Sequence, residues 1–112
     1  MNKQQATKKA DKLFSERIRE EAICWAKYET PPACNGNIQC CHVMSRRYRA
    51  IRWSEDNAVA MCAAHHLYYT LHPLEWEDLC RQSSFVDWDA LRRRALDDPP
   101  MDPFDVIASL SP

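Results

Sequence analysis

The segment Cys62-Ala63-Ala64-His65 restricts most tightly how this chain can fold. A two-residue gap between a thiol and an imidazole lets both grip one tetrahedral ion from a tight turn that leads into a helix. Cys24 and Cys34 lie upstream and complete a Cys3His set. The nine residues between them exceed the usual gap, but a longer loop costs only about 0.6 kcal/mol more to close for each doubling of its length. The four residues together predict a structural Zn2+. The competing reading is four unrelated buried side chains, because free cysteine is among the most buried residue types. That reading suits Cys80, on a helix face, and Cys40, for which core packing and approach to a metal both stay open.

A chain of this size needs such a staple. With 112 residues, one glycine, seven prolines and 28% charged side chains, a single thin core is expected, and it needs help from something other than apolar burial. The opening residues MNKQQATKKADK form no apolar signal segment, and no apolar run approaches the length that spans a bilayer. The expectation is a cytoplasmic protein with no membrane association, in a reducing compartment where thiols bind metal more often than they pair.

Hydrophobic periodicity predicts a helix over about Thr7–Ala22, with Ala10, Leu13, Phe14, Ile18 and Ala22 at helical spacing. An irregular loop follows from Cys24 to Asn37, where Pro31, Pro32 and Gly36 break the pattern. Gly36, close behind Cys34, suits a backbone that turns around a metal ligand with positive φ. Ile38–Met44 and Ala58–Met61 read as two short strands of a hairpin-like unit. Cys62 to about Tyr69 turns helical, Pro73 opens a helix to about Arg81, and Ser84 precedes a third stretch with Phe85, Trp88 and Leu91. Residues 1–98 form one α+β domain, and the Pro-rich tail 99–112 is expected to be extended unless it docks.

Two adjacent histidines at the start of a helix point about 100° apart. His65 can therefore face the Zn2+ while His66 faces a second site, for which His42 is the companion. The net charge of −1 argues against nucleic acid as a partner, but the distribution argues for it. Arg46, Arg47, Arg49 and Arg52 fall within seven residues, with Tyr48 among them and Trp53 just after. Guanidinium forks suit phosphate oxygens. Tyr48 can stack on bases or anchor the loop, and Trp53 suits the core. The alternative for the arginines is pairing with the acidic C-terminal half, which stabilises little.

The order Ile38-Gln39-Cys40-Cys41-His42-Val43, Ser45-Arg46-Arg47-Tyr48, Arg52-Trp53, Asp56-Asn57-Ala58 and Cys62-Ala63-Ala64-His65-His66 resembles the HNH endonucleases of bacteriophages and prophages, over about Lys12 to Trp76. The resemblance implies a ββα-metal core of treble-clef type with an N-terminal helix and C-terminal helices, acting on DNA in a bacterial host cell during recombination, replication or packaging. It places His42 at the general base, Asn57 at the residue that braces the loop and helps orient that base, and His66 at a ligand of a catalytic divalent cation such as Mg2+, Mn2+, Ni2+ or Zn2+. Cys41 stands where the family has an oxygen or imidazole ligand, and a thiolate favours softer metals. The sequence thus admits two functions. One is a metal-dependent DNA endonuclease. The other is a catalytically inactive, zinc-stapled module that binds DNA, or a protein through its C-terminal helices or tail.

Overall fold

The computed structural model describes all 112 residues as five helices and a two-stranded sheet. Helix α1 runs Lys3–Arg19 and starts about a turn earlier than periodicity predicts. The reason is a capping box: Asn2 Oδ1 accepts from the Gln5 amide at 2.8 Å and Gln5 Oε1 accepts from the Asn2 amide at 2.9 Å. The buried stripe of α1 is Ala6, Ala10, Phe14 and Ile18. The helix stops short of Ala22, whose φ of 58° turns the chain away.

Strands β1 (Ile38–His42) and β2 (Ala58–Cys62) pair antiparallel, with Ile38 opposite Cys62 and His42 opposite Ala58. Every residue of β2 is buried, and alternation sorts them by size. Val59 and Met61 join a large core with Cys41, Val43, Tyr69 and Trp76. Ala58 and Ala60 face a smaller core with Phe14, Ile18, Trp53 and Val106. Two alanines on the strand and Ala10 on the helix let α1 lie close to the sheet.

Helix α2 (Ala63–Leu71) leaves β2 directly, with the Cys62 Sγ as its cap. Helix α3 (Pro73–Gln82) carries Pro73 in its first turn, as the sequence predicts. Helix α4 (Trp88–Asp97) starts later than Ser84 suggests, because Asp87 is itself the cap and accepts from the Ala90 amide at 3.1 Å. Phe85 is left outside it, half exposed.

The tail departs from the extended form predicted for it. Pro103–Leu110 is a helix, α5, capped by Asp102 and packed on α1 through the buried Val106. Proline at the first helical position lacks an N–H that would have had no partner there anyway, so Pro103 starts this helix rather than preventing it. Burying side chains such as Phe14 and Val106 stabilises the seam by roughly 1.5–3 kcal/mol each. No helix is long and apolar enough to cross a membrane.

Candidate metal centre and histidine site

The four ligands predicted from the sequence come together. One ligand atom each from Cys24, Cys34, Cys62 and His65 lies within 4.8 Å of all the others. The His65 Nδ1 is 3.1 Å from Cys62 Sγ, 3.6 Å from Cys24 Sγ and 3.7 Å from Cys34 Sγ. A tetrahedral ion with metal–sulfur bonds of about 2.3 Å and a metal–nitrogen bond of about 2.0 Å sets sulfur and nitrogen roughly 3.5 Å apart. The residues therefore fit a metal ion, and the three thiols with one imidazole are the donor set of a structural zinc site.

The imidazole is held for this task from its far side. His65 Nε2 lies 2.7 Å from the Glu29 carbonyl, so it carries the proton and leaves Nδ1 to the sulfurs. Burial opposes a charge on His65, but the Glu29 carbonyl and the Cys62 sulfur favour one and raise its pKa. Burial likewise raises the Cys62 thiol, yet the amides of His65 and Asn35 and the His65 ring draw it down to about 6.

Gly36 explains how the wide Cys24–Cys34 spacing works. Its φ is 85°, and a Cβ added there would sit 2.7 Å from the Ala63 Cβ. The turn presses against the start of α2, where the Ala63 amide donates to Asn37 O at 2.9 Å and the Ala64 amide to Asn35 O at 3.0 Å. Cys24 arrives separately, beside β2, where the Trp25 amide donates to Ala60 O at 2.8 Å. The long insertion is the chain's path from the outer edge of the sheet to the helix start.

His42 ends β1 on the opposite face. Its ring lies against Phe14 with centroids 5.6 Å apart, and Nε2 is 2.9 Å from the Arg52 carbonyl. A carbonyl only accepts, so Nε2 carries the hydrogen and Nδ1 keeps a lone pair. Burial pushes the His42 pKa below its ordinary 6.5, and Arg46 adds to this against the Arg52 carbonyl. Burial thus favours the neutral ring, with Nδ1 as its basic atom.

Asn57 is fully buried and braces the loop between the strands. Its Oδ1 accepts from the Met44 amide at 2.8 Å, and its Nδ2 donates to Met44 O and Ile51 O, both at 3.1 Å. Between these fixed points the chain makes successive turns, with amides of Tyr48, Ile51, Ser54 and Asn57 each donating three residues back. Ile51 points inward, fully buried, while Arg46, Arg47, Tyr48 and Arg49 stand on the exposed corners. Arg52 does not join them. It forks onto Asp11 of α1, with Nε to Oδ1 at 3.0 Å and Nη2 to Oδ2 at 2.7 Å, and Trp53 is buried beside it.

The alternative pairing of the arginines with the acidic C-terminal half is not what the fold makes. Asp11 pairs with Arg46 and Arg52, Arg47 and Arg49 pair with no carboxylate, and the ion pair that joins the loop region to α4 runs the other way, from Arg94 to Asp56 at 2.7 Å. His66 makes its contact with β1, Nδ1 lying 2.8 Å from Gln39 Oε1. That leaves Nε2 free of the strand. No hydrogen bond joins His42 and His66.

Cys41 is buried in the large core with Trp76 and Cys80, and burial pushes its thiol up to about 12. Cys80 is fully buried, as its helix-face position suggests. Cys40 packs half-buried against the smaller core. All six cysteines are free thiols. Two residues to which the sequence reading assigned no role, Asp11 and Gln39, hold the groups around the histidines.

No protein family model, curated protein or solved structure matches this chain.

Proposed function

We propose that the protein is a metal-dependent DNA endonuclease of the HNH type, built on a ββα unit that a structural Zn2+ holds together. The observation that carries this reading is the His42 ring. Burial favours its neutral form, its Nε2–H is tied to a backbone carbonyl of the arginine-bearing loop, and its Nδ1 keeps a lone pair. A base that activates water for phosphodiester hydrolysis needs those properties.

In this reading His42 Nδ1 takes a proton from the attacking water, while Arg46, Arg47 and Arg49 bind phosphates of the strand and Tyr48 stacks on a base. Arg52 acts differently, because its charge is neutralised by Asp11. A divalent cation in such a reaction offsets negative charge on the phosphate and leaving oxygen. Among the predicted cation ligands, His66 keeps Nε2 free of the strand, while the Cys41 thiol is committed to the core.

Cys41 is also what favours a second reading, a zinc-stapled binding module without catalysis. Incubating supercoiled plasmid with the protein in Mg2+, Mn2+, Ni2+ or Zn2+ separates the two. The parent is expected to nick, and His42→Ala to lose about 100-fold or more of that rate. DNA binding without cleavage in any of the four metals would leave only the binding module.

A further inference from the structure

We propose that Asp11 of α1 is a positioning residue for His42, acting through the backbone carbonyl of Arg52; this role in catalysis rests on the endonuclease reading above. Asp11 lies outside the motif segment, on a helix whose other charged residues are all exposed.

The geometry runs in a short chain. The Arg52 guanidinium donates to both Asp11 carboxylate oxygens, at 3.0 and 2.7 Å, and the Trp53 indole N–H donates to Oδ1 at 2.9 Å. Three donors from two consecutive residues thus converge on one carboxylate. The carbonyl between those residues is the one that accepts from His42 Nε2, at 2.9 Å. On its other side Asn57 Nδ2 holds Ile51 O at 3.1 Å. The Arg52 peptide is therefore fixed from α1 and from the base of β2 together.

That carbonyl selects the tautomer. If it tilts away, no other hydrogen bond to the His42 ring distinguishes Nε2–H from Nδ1–H, and the lone pair is no longer confined to Nδ1. A bidentate arginine–carboxylate pair resists such tilting better than a single contact, because two parallel bonds fix the plane of the guanidinium. Both side chains are about four-fifths buried, with 20% and 22% exposure, so water competes weakly for them. Arg46, at 3.8 Å from the same carboxylate and 60% exposed, is placed to add charge rather than geometry.

A purely structural role, with Asp11 only fastening α1 to the loop, predicts a different result, and the tautomer is what tells them apart. The experiment uses the full zinc-loaded chain and compares the parent with Asp11→Asn, Asp11→Glu and Trp53→Phe. Nitrogen NMR of the His42 ring reads the tautomer at pH 7.5, and circular dichroism with zinc content reports the fold. The parent is expected to hold the Nε2–H form. Asp11→Asn is expected to mix the two forms while it stays folded and zinc-loaded, and its nicking kcat to fall about 10- to 100-fold with KM little changed. Asp11→Glu is expected to recover part of both.

Unchanged His42 nitrogen shifts in folded Asp11→Asn would overturn the proposal, whatever the DNA assay shows. Should Asp11→Asn fail to fold, Trp53→Phe removes one donor and leaves the carboxylate, and unchanged shifts there count equally against it. A parent that never nicks plasmid, paired with a shifted tautomer in Asp11→Asn, would retire the nuclease reading and leave the positioning of His42 by Asp11 standing.

Discussion

The two faces of the hairpin are held by different physics. On the α2 side three thiols and an imidazole converge within 4.8 Å, and the knuckle is closed by amides donating to the loop around Gly36. On the α1 side there is no such cluster. Alanines let the helix come close, Phe14 and Val106 fill the space, and one carboxylate gathers Arg52 and Trp53. The Cys3His cluster sits where α2 begins, whereas packing and a charged fork set where His42 points. The first arrangement tolerates an odd loop length; the second depends on one residue of a distant helix.

Removing metal tests the first face and has the largest expected effect. Structural zinc in small domains is worth on the order of 10 kcal/mol. Chelation is expected to release one ion per chain and abolish the near-ultraviolet dichroism of Trp25, Tyr69 and Trp76, which pack together beside the site. Retention of that signal after the ion has gone would mean that the apolar core alone holds the α2 face.

Asn57→Ala tests the joint between the faces. It removes three hydrogen bonds from a site with no exposure and leaves the Met44 amide and carbonyl without partners, while the Ile51 carbonyl keeps the Ser54 amide. A loss of about 2–4 kcal/mol in urea unfolding is expected, at roughly 1–3 kcal/mol for an orphaned buried group and with partial relaxation. An effect under half a kcal/mol would show that the turns of the loop stand without this brace.

The smallest effect is a pH dependence on the α1 face. Burial lowers the His42 pKa below 6.5 in the folded protein, so its neutral ring contributes stability that is present above 6.5 and is lost as pH falls through the folded value. For catalysis the same sign applies, since only the neutral ring can take a proton. The acidic limb of nicking is therefore expected below pH 6.5, and a limb above it would contradict the buried, carbonyl-tied ring.

Much of the metal site was legible because ligand chemistry is local. Cys62 and His65 sit one helical turn apart, and Gly36 marks a positive φ that few other residues adopt. Both signals survive in a bare sequence. The start of α1 was less legible, because Asn2 and Gln5 make a capping box without the Ser or Thr that usually signals one. The tail was misread for a related reason. Its prolines suggested an extended chain, but Pro103 stands at the one helical position that accepts proline, and only contact with α1 makes that helix worth forming.

The sequence by itself determined the Cys62–His65 pair and the run of arginines, because both depend on residue type at short spacing, and it named Cys24 and Cys34 by residue type alone. The tertiary structure alone decided that Arg52 belongs to Asp11 rather than to solvent, that Cys41 faces the core, and that the Arg52 carbonyl fixes the His42 ring. Those outcomes depend on which side of the hairpin α1 covers. A helix joined to the sheet by an irregular loop can choose its face only through packing, and packing is a property of the whole chain.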